Sequence, residues 1–268
     1  MPIRVMASRH SAFYSPLLCT VEFLRRDGRD VTYSVLGPGQ QTYALLRDRA
    51  ADVIQSAVSS NWGARERGVE PLPVHFAQIN CRDGFFVTTR QPDPAFDWKK
   101  LEGRTLLADQ GAQPLAMLKY AVKHNGVEWS RVKALSRGEA EYGHQQAPVT
   151  SGEIVASVGA SMPPVAFSSV CCSRDYRKTD DCQVFLKAFE KAKEWTRTAS
   201  AAEVAATEAS FFPNVARDAL EDAVARYQQL GCWEGGIEIP RDLYDQALNV
   251  FQQAGAISWR HRYDEVVG

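Results

Sequence analysis

The side chains best suited to chemistry in this sequence follow short apolar segments that are typical of β-strands. Arg9 and His10 come directly after the apolar segment 3–6, where a side chain at the end of a strand can reach a ligand. An arginine can clamp a carboxylate, sulfonate or phosphate with two hydrogen bonds, and a histidine can change charge near neutral pH. We therefore predict that both residues contact a ligand, with an ordinary surface turn as the alternative.

Two glycine-containing loops offer backbone N–H groups beside a predicted helix start. Gly39 and Gln40 lie in loop 37–41, which has neither the G-x-G-x-x-G pattern nor the lysine of a P-loop. Such a loop can still bind an anion or a carbonyl group. An equivalent loop after segment 105–108 contributes four predicted ligand-binding residues, Asp109, Gln110, Gly111 and Gln113. The alternative is that both loops are plain turns.

Other candidates carry aromatic, guanidinium, amide or hydroxyl groups. Tyr14 can stack on a flat heteroaromatic ligand, although aromatic residues at a helix start are often core residues. Arg82 can hold an anion in the same way as Arg9. Neutral donors and acceptors follow a third predicted strand at Gln55, Ser56 and Asn61. Helix capping is the alternative role for these three residues.

The polar run 141–148 is unusual because it combines an aromatic residue, a histidine and amides within a few positions. In an extended segment Tyr142 and His144 would lie on one side. We predict that Tyr142, His144 and Gln145 line the ligand site, with a solvated loop as the alternative.

Metal binding and catalysis have no clear signal in the sequence. None of the six cysteines forms a C-x-x-C pair or stands at metal-ligand spacing from a histidine, so we expect no metal and no cofactor. The thiols are expected to be buried or incidental rather than redox-active. No Ser-His-Asp order and no paired carboxylates stand out, and we predict no catalytic residue.

Composition limits the partners and the compartment. The 268 residues carry a formal net charge of −1, with no basic stripe for phosphates, so we expect no nucleic-acid partner. No apolar run reaches the roughly 18 residues of a membrane span. No basic and apolar leader precedes the first strand, which predicts a cytoplasmic protein, or a periplasmic one if a leader was removed.

The elements that must position these residues form a repeated unit of strand, polar loop and helix. The strands are predicted at 3–6, 31–35, 51–54 and 105–108, and a well-defined helix is predicted at 15–26. This alternation predicts an α/β fold with parallel-dominated sheets flanked by helices. The loops would then converge at the carboxyl edge of a sheet, where α/β proteins bind ligands.

Several segments resemble the nitrate/sulfonate/thiamin-precursor family of solute-binding proteins. The resemblance covers nearly the whole chain and rests on eight segments, which are Phe13-Tyr14-Ser15-Pro16, Gly37-Pro38-Gly39, the helix and strand at 45–53, the turn at 97–105, the helix at 185–192, and the C-terminal segments at 211–213, 227–233 and 251–257. It implies a two-lobed, type II periplasmic-binding-protein-like fold. Lobe 1 would contain 1–86 and 172–268, lobe 2 would contain 87–171, and the ligand would bind in a cleft between them.

The resemblance also implies a function. A member of this family captures a small ligand, here expected to be anionic or heteroaromatic, and delivers it to an ABC permease. The alternative is a cytoplasmic enzyme on the same fold, similar to a thiamin-pyrimidine synthase or an aromatic sulfinate desulfinase. Because no catalytic residue stands out, we favour binding over catalysis.

Overall fold

A mixed sheet organises the first part of the computed structural model, which describes residues 2–136 and 153–268. Its strand order within these residues is β2-β1-β3-β9-β4. The bounds are β1 (Ile3–Ala7), β2 (Val31–Val35), β3 (Val53–Ser56), β4 (Val74–Asn80) and β9 (Ser168–Cys172). β1 pairs in parallel with β2 and β3, whereas β9 is antiparallel to both β3 and β4.

This pairing brings the carboxyl ends of β1 to β4 and the amino end of β9 to one edge of the sheet. We call it the carboxyl edge, and its strands end or begin there at Ala7, Val35, Ser56, Asn80 and Ser168. All residues of β3, β4 and β9 are buried, which fits strands covered on both faces. The opposite edge of the sheet carries the amino ends of β1 to β4.

Helices cover this sheet. They are α1 (Ser15–Arg26), α2 (Thr42–Arg47), α3 (Val58–Glu66), α5 (Asp180–Thr198), α6 (Ala201–Glu208), α7 (Arg217–Gln229), α8 (Arg241–Gln253) and α9 (Tyr263–Val266). α1 has the predicted bounds, because Pro16 suits the first turn and Gly28, at φ 76°, ends the helix. α1 packs on α5 and α6, and its apolar side chains at 17, 18, 21 and 24 are buried.

The chain divides into two compact units. The first contains Met1–Arg82, Val165–Ala247 and Arg260–Gly268, and the second contains Asp83–Pro164 and Leu248–Trp259. The second unit has an antiparallel pair, β5 (Phe86–Thr89) with β8 (Glu153–Ser157), and a parallel pair, β6 (Thr105–Leu107) with β7 (Lys133–Leu135). Helix α4 (Ala112–His124) follows β6 and contributes Val122 to a small apolar core with Leu101, Val127 and Val132.

Strand β9 lies in the sheet of the first unit, where it pairs with β3 and β4. Its residues Val170 and Cys171 are apolar and are buried in that sheet. The predicted lobe boundaries stay a prediction. The α/β class with parallel-dominated pairing and flanking helices is confirmed.

Candidate functional site

The carboxyl edge of the first unit carries a buried polar network at the end of β3. The Gln55 side chain is 2% exposed, and its Oε1 accepts hydrogen bonds from Ser8 N at 3.0 Å and Ser8 Oγ at 2.6 Å. Its amide group donates to the Ser56 carbonyl oxygen at 3.3 Å. Gln55 therefore fixes the loop after β1 against the end of β3, and this is the loop that carries Arg9 and His10.

Helix α3 starts two residues after β3, so its amino end lies at the carboxyl edge. Ser56 Oγ donates to Ser60 Oγ at 3.0 Å, and Ser60 Oγ donates to the Ala57 carbonyl oxygen at 2.7 Å. The residue before the helix is Ala57, whose methyl side chain cannot accept a hydrogen bond from the first turn. Hydroxyl groups and backbone N–H groups thus occur together at this point of the edge.

The charge of the first helical turns differs between helices. Neither α1 nor α3 has an acidic residue in its first turn or a side-chain hydrogen bond at its cap, and the same is true of α4 in the second unit. Helices α5 to α8 each have an acidic residue in the first turn, namely Asp180, Asp181, Glu203, Asp218 and Asp242. The partial positive charge of a helix amino end favours an anion. In α1, α3 and α4 no carboxylate of the first turn offsets that charge.

The start of α1 is tied to the carboxyl edge by residues that the sequence did not single out. Asn80, the last residue of β4, donates from Nδ2 to the Phe13 carbonyl oxygen at 2.9 Å, and Trp233 Nε1 donates to the same oxygen at 3.1 Å. Ser168 Oγ donates to Asn80 Oδ1. These contacts join parts of the chain that are far apart in sequence. The sequence could have indicated the residues involved only because they are polar residues within otherwise apolar strands.

Arg9 and His10 occupy the predicted position after β1, and both are exposed. His10 Nε2 lies 2.8 Å from the Phe211 carbonyl oxygen, and Nδ1 lies 3.1 Å from the Tyr33 hydroxyl. Because a carbonyl oxygen only accepts, Nε2 carries the proton and Nδ1 accepts from Tyr33. Burial raises the pKa of Tyr33 far above its ordinary value, which keeps this hydroxyl a donor. His10 therefore connects the β1 loop to β2 and to the segment after α6.

Tyr14 and Gln40 have local roles in the structure. Tyr14 is buried, and its ring centroid lies 5.4 Å from that of Phe13, so it belongs to the core beneath the start of α1. Gln40 Oε1 accepts a hydrogen bond from Gly37 N at 2.7 Å, which closes the turn after β2 on itself. Gly39 has φ 79°, a conformation that favours glycine, so the turn explains why glycine stands there.

Arg82 and Asn61 lie at different edges. Arg82 is half-buried and comes two residues after the end of β4, at the carboxyl edge. Asn61 is buried in α3, and its Nδ2 donates to the Pro73 carbonyl oxygen at 2.7 Å. Since Pro73 precedes β4, this contact is at the opposite edge. We therefore assign Asn61 to holding the start of β4 rather than to the carboxyl edge.

The second unit has an equivalent strand-to-helix loop. Asp109 Oδ1 accepts from Gly111 N at 2.7 Å, and Gln110 Nε2 donates to the Ala108 carbonyl oxygen at 3.2 Å. Gly111 is the residue before α4, and Gln113 is buried in its first turn. The four predicted residues thus lie together after β6. The predicted residues Tyr142, His144 and Gln145 lie outside the described residues.

Ser8 and Ser60 are the hydroxyl residues of the carboxyl edge that the sequence prediction missed. Each follows a predicted strand within a few positions, which is a usable but weak signal. Within residues 2–136 and 153–268, no cluster of three or more His, Cys, Asp and Glu side chains has the arrangement needed to hold a metal ion.

Over the same ranges, no helix is both long enough and apolar enough to cross a membrane.

The fold is that of the periplasmic binding proteins, and the resemblance predicted from the sequence is confirmed by known structures. The chain superposes on the ligand-binding component of an ABC-type import system from Staphylococcus aureus with zinc bound, with a TM-score of 0.72 at 11% identity, covering 100% of this chain and 96% of the other. It also matches the periplasmic aliphatic sulphonate binding protein SsuA from Escherichia coli, with a TM-score of 0.69 at 13% identity and coverage of 99% and 97%.

A further solved structure and a curated relative are also similar to this chain. A mutant of DSZB in complex with biphenyl-2-sulfinic acid matches with a TM-score of 0.60 at 15% identity, covering 99% of this chain and 96% of DSZB. The relative named Putative binding protein YtlA, from Bacillus subtilis (strain 168), is 23% identical over 290 residues, covering 99% of this chain and 87% of YtlA. No family model matches the chain.

Proposed function

We propose that this protein is a solute-binding protein that captures a small anionic or heteroaromatic molecule at the carboxyl edge and serves an ABC importer. The observation that carries the proposal is the combination of the start of α3, which has neither a side-chain cap nor an acidic residue in its first turn, with the buried Gln55 network at the end of β3. The binding protein YtlA and the import components among the structural neighbours support the same function.

The charge and hydroxyl pattern supports an anion at this edge. Backbone N–H groups at the start of α3 and the hydroxyls of Ser56 and Ser60 can donate to oxygen atoms of a sulfonate, phosphate or carboxylate. Arg9 follows β1 and Arg82 follows β4, three strand positions away in the sheet. At about 4.8 Å per strand, the two loops lie roughly 14 Å apart, with the start of α3 between them. A small ligand over α3 could thus contact a guanidinium from either loop.

The second unit offers the same chemistry in loop 109–113, and the same anion preference is proposed for it. The predicted partners follow from the function, namely a small ligand and an ABC permease. A periplasmic location is proposed with them, since the sulphonate-binding neighbour is periplasmic.

The test is a ligand panel read by thermal stabilisation and calorimetry. Alkyl and aryl sulfonates, aromatic carboxylates and pyrimidines are compared with uncharged analogues of matched shape, such as the sulfonamide of each sulfonate. Because a ligand of the folded state raises stability, we expect a sulfonate or carboxylate to raise the Tm and its neutral analogue to raise it much less. If no compound raises the Tm at millimolar concentration, the capture function is contradicted.

Variants of the two arginines test the anion site with the compound that binds best. Arg9→Ala or Arg82→Ala should weaken binding by roughly 1.5 to 3 kcal/mol, the scale of a hydrogen bond to a charged group, which corresponds to about 10- to 150-fold in Kd. The matched control is Arg29→Ala, an exposed arginine before β2 at the opposite edge, and it should bind like the wild type. Unchanged affinity in both test variants would contradict an arginine clamp.

A further inference from the structure

Two buried thiols lie next to each other at the opposite edge of the sheet. Cys172 is the last residue of β9, and Cys182 is the third residue of α5. Both residues are 0% exposed and both are free thiols, and they are close enough for each thiol to shift the pKa of the other. A loop and one short helical turn connect them, so the pair links the end of a central strand to the start of the longest described helix.

Arg177 is positioned beside this pair. Its Nη1 lies 4.0 Å from Cys182 Sγ, its Nε donates to the Gly268 carbonyl oxygen at 3.2 Å, and its guanidinium lies over the Phe76 ring at 5.4 Å. The contacts with Gly268 and Phe76 hold the positive charge in place.

The two thiols have different acidities. The interaction with Cys172, together with the positive charge of Arg177, lowers the pKa of Cys182, and the same interaction raises the pKa of Cys172. Burial raises the pKa of the thiols at Cys19, Cys81 and Cys171. Cys182 is thus a nucleophile with a protonated thiol as its neighbour, which is the arrangement of a reactive and a resolving cysteine.

We propose that Cys172 and Cys182 are a redox-active pair that hydrogen peroxide oxidises to a disulfide. The Cys182 thiolate attacks one peroxide oxygen, which forms Cys182 sulfenic acid and releases hydroxide. The Cys172 sulfur then attacks Cys182 Sγ, the S–O bond breaks, and the second oxygen leaves as water while the Cys172 proton is transferred to it. Overall, two thiols and one peroxide give one disulfide and two waters. A thiol reductant reverses the change by thiol–disulfide exchange.

Burial selects a small oxidant. The segment between the two cysteines has exposed residues at Arg174, Asp175, Lys178 and Thr179, so a local opening there admits a molecule of nearly the size of water. A bulky disulfide would need a larger opening. Cys172 pairs with Val74 at the amino end of β4, far from the carboxyl edge, so the pair is independent of the proposed ligand site.

Peptide mapping after peroxide treatment tests the proposal on the folded full-length protein. Trypsin cleaves after Arg174, Arg177 and Lys178, so Cys172 and Cys182 fall on separate peptides unless a disulfide joins them. After treatment, blocking and digestion without reductant, we expect one linked peptide pair, and a denatured sample should titrate two fewer thiols than the six of the reduced protein. A reductant should restore all of them.

Matched variants identify the pair. Cys171 shares a peptide with Cys172, so Cys171→Ser should retain the link, whereas Cys172→Ser and Cys182→Ser should lose it. Arg177→Gln should slow oxidation several-fold, because it removes the charge beside the Cys182 thiolate. Arg174→Gln, an exposed arginine of the same segment, should oxidise at the wild-type rate.

Three results would overturn the proposal. The first is that all six thiols remain after a treatment that oxidises free cysteine. The second is that the disulfide joins Cys171, not Cys172, to Cys182. The third is that Cys182 becomes a sulfinic acid and no disulfide-linked peptide forms. The peptide map of the wild-type protein tests the disulfide even if a cysteine variant fails to fold. Equal oxidation rates for Arg177→Gln and Arg174→Gln would contradict the proposal that Arg177 promotes oxidation of Cys182.

Discussion

Glu208 shows how one buried side chain couples stability to pH. It is the last residue of α6 and is 0% exposed. Burial raises the pKa of Glu208 to about 8. The folded protein therefore keeps the proton that the unfolded chain has already lost above its ordinary carboxyl pKa of about 4.3. Stability from this group is present at acid pH and is lost as the pH rises towards 8.

We predict that Glu208→Gln removes this loss. One pKa unit corresponds to about 1.4 kcal/mol, so the variant should gain up to about 4 kcal/mol in free energy of unfolding relative to the wild type between pH 5 and pH 8. Urea denaturation at several pH values measures the difference. Glu190→Gln, an exposed glutamate on α5, is the control and should show no such trend. A constant difference between Glu208→Gln and the wild type would mean that the carboxyl is ionised in the fold.

Residue positions in the candidate site were more predictable than residue contacts. Arg9 and Gln55 stand where the sequence placed them because a strand end is a local property of the chain. The partners of His10 could not be predicted, since Phe211 is 201 positions away and reaches it only through the packing of α6. The contact of Asn61 with Pro73 could not be predicted either, because the sequence does not give the direction in which helix α3 runs, and the ligand-binding role of Asn61 stays a prediction.

At the scale of elements, helices with clear ends and a clear apolar stripe were predicted well. α1 has the bounds predicted from the sequence. α6 was not predicted as a separate helix, because its segment Ala201–Glu208 is rich in alanine and has little apolar periodicity. Its start is instead defined by a capping box, a polar signal that a search for apolar patterns misses.

That capping box gives a prediction for α6. Ser200 Oγ accepts from Glu203 N at 3.3 Å, and Glu203 Oε2 accepts from Ser200 N at 3.0 Å. Ser200→Ala removes the first acceptor, and we expect a loss of about 1 kcal/mol in free energy of unfolding. Chemical denaturation measures it, with the exposed Ser210→Ala as a control that should change little. Equal stability of the two variants would show that tertiary packing, not the cap, sets the start of α6.

At the scale of the whole molecule, the position of β9 shows that strand order depends on pairing between segments that are distant in sequence. The chain leaves the first unit after β4 and re-enters it before β9, and Val165 N donates to the Cys81 carbonyl oxygen at 2.9 Å where these two segments run side by side. This pairing joins residues 84 positions apart. Strands β4 and β5 follow one another along the chain, yet they belong to separate sheets. Non-local pairing of this kind depends on how well distant buried surfaces pack together, and local sequence patterns do not encode that packing.

The sheet also separates two chemistries in one molecule. The proposed ligand site is at the carboxyl edge, and the proposed Cys172–Cys182 pair is at the opposite edge. Ligand affinity should therefore be the same for the oxidised and reduced forms. This separation also means that failure of one proposal leaves the other intact.

The last prediction distinguishes capture from catalysis for the whole protein. One fold can carry unrelated functions, so the fold alone does not decide between capture and catalysis. We expect each compound that raises the Tm to be recovered unchanged after prolonged incubation, because we identified no catalytic residue in the sequence. Mass analysis of the small-molecule fraction measures this, with heat-denatured protein and Arg9→Ala as controls. A new product mass that requires folded protein and declines in Arg9→Ala would contradict capture and identify the carboxyl edge as an active site.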